Sequence, residues 1–148
     1  MIEQNAFQKL LEENDGRLPL LTLDEFFEGN TEEDSIAPND GDFGRPSIAK
    51  IWELMQNLEK MPGVAWIRIE LHNDTEIVEY GGKEVLVLAG ESPIICTSLS
   101  APELETLARC EWLHSGGVEE WDVSSADSLF SCRPPVPEGF RCFAIVWD

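Results

Sequence analysis

PSIAKIWELMQNLEKMPGVAWIRIEL, residues 46–71, decides the fold, because it reads as one helix running directly into one strand. Ile48, Ile51, Trp52, Met55 and Leu58 recur at the spacing of a single buried helix face, which predicts a helix from about Pro46 to Met61. Pro46 suits the first helical turn, where no intrahelical N–H is needed, and Pro62-Gly63 ends the helix. The period then changes to two. From Val64 to His72, Ala65, Ile67, Ile69 and Leu71 point one way, and Trp66, Arg68, Glu70 and His72 the other. That alternation predicts a half-buried strand.

Downstream, Asn73-Asp74 is a turn signal. Glu76–Tyr80 and Lys83–Ala89 flank Gly81-Gly82, the signature of a two-residue hairpin. The chain turns again at Gly90–Pro93, and Ile94–Leu99 reads as a further strand. Ser100 with Glu103 forms a capping box, opening a helix that buries Leu104, Leu107, Ala108 and Trp112 before Gly116-Gly117. Val118–Trp121 is a short strand, and Ser124–Gly139, with Pro134, Pro135 and Pro137, is irregular. Phe140–Trp147 is apolar on both faces and belongs inside the sheet. Upstream, Ala6, Phe7, Leu10 and Leu11 give a helix from Ile2 to Asn14, stopped by Gly16. Thr22 or Asp24 caps a short turn carrying Phe26 and Phe27, and Gly29–Gly44 is a long polar loop. The expectation is an α+β fold, one domain over residues 1–148. Its antiparallel sheet has four to five strands, with helices packed mainly on one face.

Charge bounds the function. The 148 residues carry 29 Asp and Glu against 10 Lys and Arg, a net charge of −19. A surface of that sign repels phosphate backbones and anionic lipid, so direct nucleic-acid and membrane binding are excluded as expectations. With 43% hydrophobic residues the chain can nevertheless bury a core. Met1 is followed by Glu3 and polar residues rather than a basic stretch and an apolar run, and no segment is long enough to span a bilayer. Cys96, Cys110, Cys132 and Cys142 lack paired spacing and read as reduced thiols, which places the chain in the cytoplasm.

No motif names a reaction. His72 with Asp74, and Cys110 with His114, fall short of zinc spacing, and Asn39-Asp40-Gly41-Asp42 is only a fragment of a calcium loop. No nucleophile elbow, P-loop or dinucleotide fingerprint is present, so neither metal nor cofactor is expected. The sharpest feature is the acidic stretch from Glu12 to Asp42, in which Arg17 is the only basic residue. Within it, Glu25, Glu28, Glu32, Glu33, Asp34, Asp40 and Asp42 could steer a basic partner, with Phe26 and Phe27 as anchors. The plainer reading makes the acids a solvated face and the rings core. Trp112, Trp121 and Trp147 are candidates for lining a pocket.

The stretch LPLLTLDEFFEGNT at residues 18–31 and SIAPN at 35–39, together with the helix–strand pair and the terminal Val146-Trp147-Asp148, resembles a recurring pattern in uncharacterised bacterial proteins. That resemblance implies a small, acidic, cytosolic protein and carries no activity with it. In size and charge alone the chain is also similar to immunity proteins that neutralise toxins. The leading expectation is a non-enzymatic binding module for a basic protein partner. The alternatives are a small enzyme or ligand-binding domain with a Trp and carboxylate pocket, and a DNA mimic.

Overall fold

A computed structural model describes residues 1–147, except for the side chains of 41–43. Helix α1 (Gln4–Glu13) leads through the two-residue β1 (Leu18–Pro19) to the short α2 (Leu23–Phe27). Two 3₁₀ turns, Glu33–Ser35 and Pro38–Phe43, precede α3 (Ile48–Glu59). Then come β2 (Val64–Leu71), β3 (Glu76–Tyr80), β4 (Lys83–Val87) and β5 (Gly90–Thr97). After α4 (Ala101–Leu107) the order is β6 (Gly117–Glu120), α5 (Val123–Leu129), β7 (Phe130–Ser131) and β8 (Arg141–Val146).

The fold is α+β, as its residue periodicities predict. Four antiparallel strands lie in the order β2-β5-β8-β6, with β8 inside the sheet as expected of a strand apolar on both faces. The hairpin is a correction: β3 and β4 pair with each other as a separate ribbon and do not extend this sheet. Leu21 bridges Ile69 by two backbone hydrogen bonds, and the Glu59 carboxylate accepts from the Ile67 N–H at 2.8 Å. Both therefore cover the outer edge of β2. Because the Ile69 backbone points toward Leu21, its pairing with Pro93 uses no hydrogen bond. That explains how a proline sits inside β5 without losing a ladder bond.

One face of the sheet carries the main core. Ile67, Ile69, Leu71, Ile95, Phe143 and Ile145 meet Phe7, Phe26, Phe27, Ile51, Met55, Leu58 and Leu104 from the helices. The other face is not bare. Trp66, expected on the solvent side, is buried with Ile94, Cys96, Cys142 and Ala144 beneath Trp121, Val123, Val136 and Phe140. The Trp66 indole N–H donates to the Pro135 carbonyl at 3.0 Å, so the proline-rich segment is a strap over a small second core. A bulge between Val64 and Trp66 makes Ala65 an extra, exposed residue.

Thr22 and Glu25 close a capping box on α2, and Ser100 and Glu103 close another on α4. Helix α4 stops earlier than expected, because Arg109 adopts a left-handed φ of 52° that no helix can continue. Leu107 is exposed in consequence, while Leu113 fills the core. The segment expected to be irregular contains α5, capped by the Asp122 carboxylate on the Ser124 N–H at 3.0 Å. No helix among the described residues is long and apolar enough to cross a membrane.

Candidate functional site

The acidic loop is a folded element. Asn30 is buried, its amide donating to the Phe26 carbonyl and to the Ser35 hydroxyl, both at 3.1 Å, while its oxygen accepts from the Glu32 N–H. Ile36 and Ala37 insert into the core. Arg45 then locks the far side. Its side chain is 1% exposed. Its Nε donates to the Ala37 carbonyl at 3.1 Å, Nη1 to the Pro46 carbonyl at 2.7 Å, and Nη2 to the Glu33 carbonyl. A planar guanidinium supplies this fork of donors, and a lysine could not.

The steering residues separate into two groups. Glu28, Glu32 and Asp34 are exposed. Glu25 and Glu33 are committed to structure: Glu25 accepts from the Thr22 N–H at 2.8 Å, and Glu33 accepts from the Ile48 N–H at 3.0 Å, at the start of α3. Asp40 is half-buried, with one carboxylate oxygen shut from solvent and unpaired among the described residues. The side chain of Asp42 lies outside the described residues. The anchors are corrected. Phe26 is 0% and Phe27 2% exposed, and their rings pack edge-to-face with centroids 4.9 Å apart. Both belong to the core and present nothing to a partner.

The loop stands between two concavities. On one side a cleft of about 280 Å³ is lined by Asp34, Asp40, His72, Asp74, Glu91 and Trp147, among others. His72 Nδ1 accepts the Asp74 N–H at 3.0 Å and lies 3.3 Å from the Asp74 carboxylate. Accepting through Nδ1 requires that nitrogen to be unprotonated, so the carboxylate contact is no ion pair in that state. Outside that cleft, on β2, Glu70 accepts the Trp121 indole N–H at 2.9 Å. Burial pushes its carboxyl above the usual range, against that hydrogen bond, and Glu91 nearby raises it further. On the other side of the loop, Met1, Gly29–Glu32, Asp34, Ser35 and Val85–Leu88 line a groove of about 380 Å³.

The three tryptophans do not share a pocket. Trp147 walls the first cleft and donates to the Leu113 carbonyl, Trp121 bonds Glu70, and Trp112 lies elsewhere under the Arg109 guanidinium. Among the described residues no three His, Cys, Asp or Glu side chains converge closely enough to hold a metal ion. Asp74, Glu91, Arg45 and the hairpin acids escape a reading confined to the Glu12–Asp42 stretch. The hairpin alone left a signal. A two-residue turn at Gly81-Gly82 fixes a register that makes both faces of the ribbon apolar.

No curated protein and no solved structure matches this sequence. A family model does, over residues 2–145, under the description of an uncharacterized protein family, YfbO. With nearly the whole chain covered, the protein belongs to the YfbO family.

Proposed function

We propose that the protein is a non-enzymatic binding module for a basic protein partner. The observation that carries this reading is the acidic loop, folded and tied by buried hydrogen bonds. Arg45 and Asn30 hold its backbone, Glu28, Glu32 and Asp34 stand exposed on it, and Asp34 shares the first cleft with Asp74 and Glu91. A preformed surface of one sign steers a partner of the other without an ordering cost at each encounter. Neutralising a basic toxin, as an immunity protein does, is one such partnership, supported by size and charge. The four cysteines are free thiols, which favours a reducing, cytoplasmic setting.

The test is the association rate with a captured basic partner. The Glu28→Lys, Glu32→Lys, Asp34→Lys triple variant should slow association about tenfold at low salt, with added salt erasing the difference. Equal rates for variant and wild type would overturn the reading. If the partner binds DNA, competition between DNA and this protein for it would mark a DNA mimic.

A second reading has its own observation. The cleft around His72 combines Asp34, Asp40, Asp74 and Glu91 with the Trp147 ring, a lining suited to a small organic cation. Titration with a linear diamine, followed by tryptophan fluorescence, should give a saturable change that Asp74→Asn with Glu91→Gln weakens. A flat titration refutes it.

A further inference from the structure

We infer that the groove beside β4 is a vacant strand position, and that an extended segment of a basic protein fills it by pairing with the β4 edge. The inference rests on the binding-module reading and names where on the surface the partner docks.

The backbone sets up the vacancy. Gly81 and Gly82 both have positive φ, 59° and 82°, as a two-residue hairpin turn of the primed type requires. Such a turn makes Tyr80–Lys83 a hydrogen-bonded pair, so the alternation makes Val78–Val85 and Glu76–Val87 hydrogen-bonded as well. Glu84 and Leu86 then aim their N–H and C=O groups away from β3. Neither residue has another backbone partner among the described residues. The groove borders this edge, since it is lined by Val85–Leu88 and not by β3.

Its opposite wall is the segment from Gly29 to Ser35. One residue further on, Ile36 pairs with Gly90 in a parallel bridge. The two walls therefore meet at one end, and the groove between them, which Met1 also lines, runs along the β4 edge. Four edge residues at ~3.3 Å each give ~13 Å of ladder, enough for a short peptide segment.

Side chains name the occupant. Val85 and Val87 are 41% and 43% exposed, and Tyr80, on the same ribbon face, is 80% exposed. These are uncovered apolar groups at an unpaired edge. Around them the charge is negative. Glu32 and Asp34 stand on the loop wall, and Glu79 directly opposes Glu84 across the ribbon, a like-charge pair that a cation would relieve. Lys83 and the Met1 ammonium are the nearby cations, and the ammonium donates to the Glu28 carbonyl. A strand alternating Lys or Arg with apolar residues matches both features. A second copy of this chain does not, because each copy carries −19.

The experiment uses two labelled heptapeptides of equal charge, alternating Lys with Val or Lys with Pro, titrated into the full chain at low salt. Proline cannot build the ladder. The Val peptide should bind at least about tenfold more tightly, and the Val85→Lys, Val87→Lys variant should erase that preference. Amide exchange at Glu84 and Leu86 should slow on binding. Equal, salt-released binding of both peptides without protection at those amides would overturn the groove and leave the basic-partner reading standing. Failure of both peptides to bind at low salt would overturn the groove and the basic-partner reading together. A dimer that the same variant dissociates would assign the groove to a second copy and overturn the proposal.

Discussion

Replacing Arg45 with Met keeps the buried stem and removes the donors that hold the acidic loop. Three backbone carbonyls, of Glu33, Ala37 and Pro46, lose their charged donor, and the Glu33 carboxylate loses a contact at 3.4 Å. The carboxylate contact counts for little because that side chain is 54% exposed. At ~1 kcal/mol net for each carbonyl the cost is about 3 kcal/mol, less if water enters and more if a carbonyl stays dry. For a chain of this size that shifts Tm by roughly 6–12 °C. Urea unfolding followed by tryptophan fluorescence measures the loss, and amide exchange between Asn30 and Ala37 shows whether it is local. Glu33→Gln, which leaves the three carbonyl bonds intact, should cost under about 1 kcal/mol. If Arg45→Met also costs less than that and exchange in the loop is unchanged, the guanidinium does not order the loop. A surface ordered in advance for steering would then lack its structural basis.

Other consequences are as direct. Thr22→Ala and Ser100→Ala each remove the acceptor for an N3 N–H in a capping box and should cost about 1 kcal/mol in chemical denaturation. Glu70 has its carboxyl pKa raised by burial, so the folded state holds a proton that the unfolded chain releases. Its contribution to stability is present at low pH and lost as pH rises from the ordinary carboxylate range through the raised value. Glu70→Gln should therefore stabilise the protein at neutral pH, and the gain should shrink on acidification in thermal scans at several pH values. Burial and the neighbouring Cys96 push the Cys142 thiol up to about 12, so it stays protonated at neutral pH. Iodoacetamide with intact-mass readout should label the exposed Cys132 first in the native protein, and all four thiols only in denaturant.

The α+β architecture is legible because it depends on local signals of two distinct periods. Ile48 through Leu58 declares a helix, Ile67 through Leu71 a strand, and the apolar run Cys142–Val146 an inner strand. What the sequence conceals is tertiary. Trp66 alternates onto the expected solvent face, and only the Pro135 strap, joined by distant chain, makes that face a second core. Helix α5 is hidden because Val123-Ser124-Ser125-Ala126-Asp127-Ser128 has weak intrinsic helix preference. Phe26 and Phe27 lie among acids in sequence, yet a helical turn points them inward, away from the exposed Glu28. Arg45 lies three residues beyond the acidic run, so a charge count over that run misses the group that shapes it. The Asp74 and Glu91 contributions to the first cleft depend on how β2 and β5 meet the loop, which no local pattern encodes.

The most direct test of the central claim is affinity capture on the immobilised protein from a lysate of its native host, eluted by a salt step, with the eluate identified by mass spectrometry. The account predicts a basic protein retained in stoichiometric amount at low salt, released by the step, and lost when Glu28, Glu32 and Asp34 are reversed in charge. Retention of a neutral or acidic protein that neither salt nor charge reversal disturbs would contradict it.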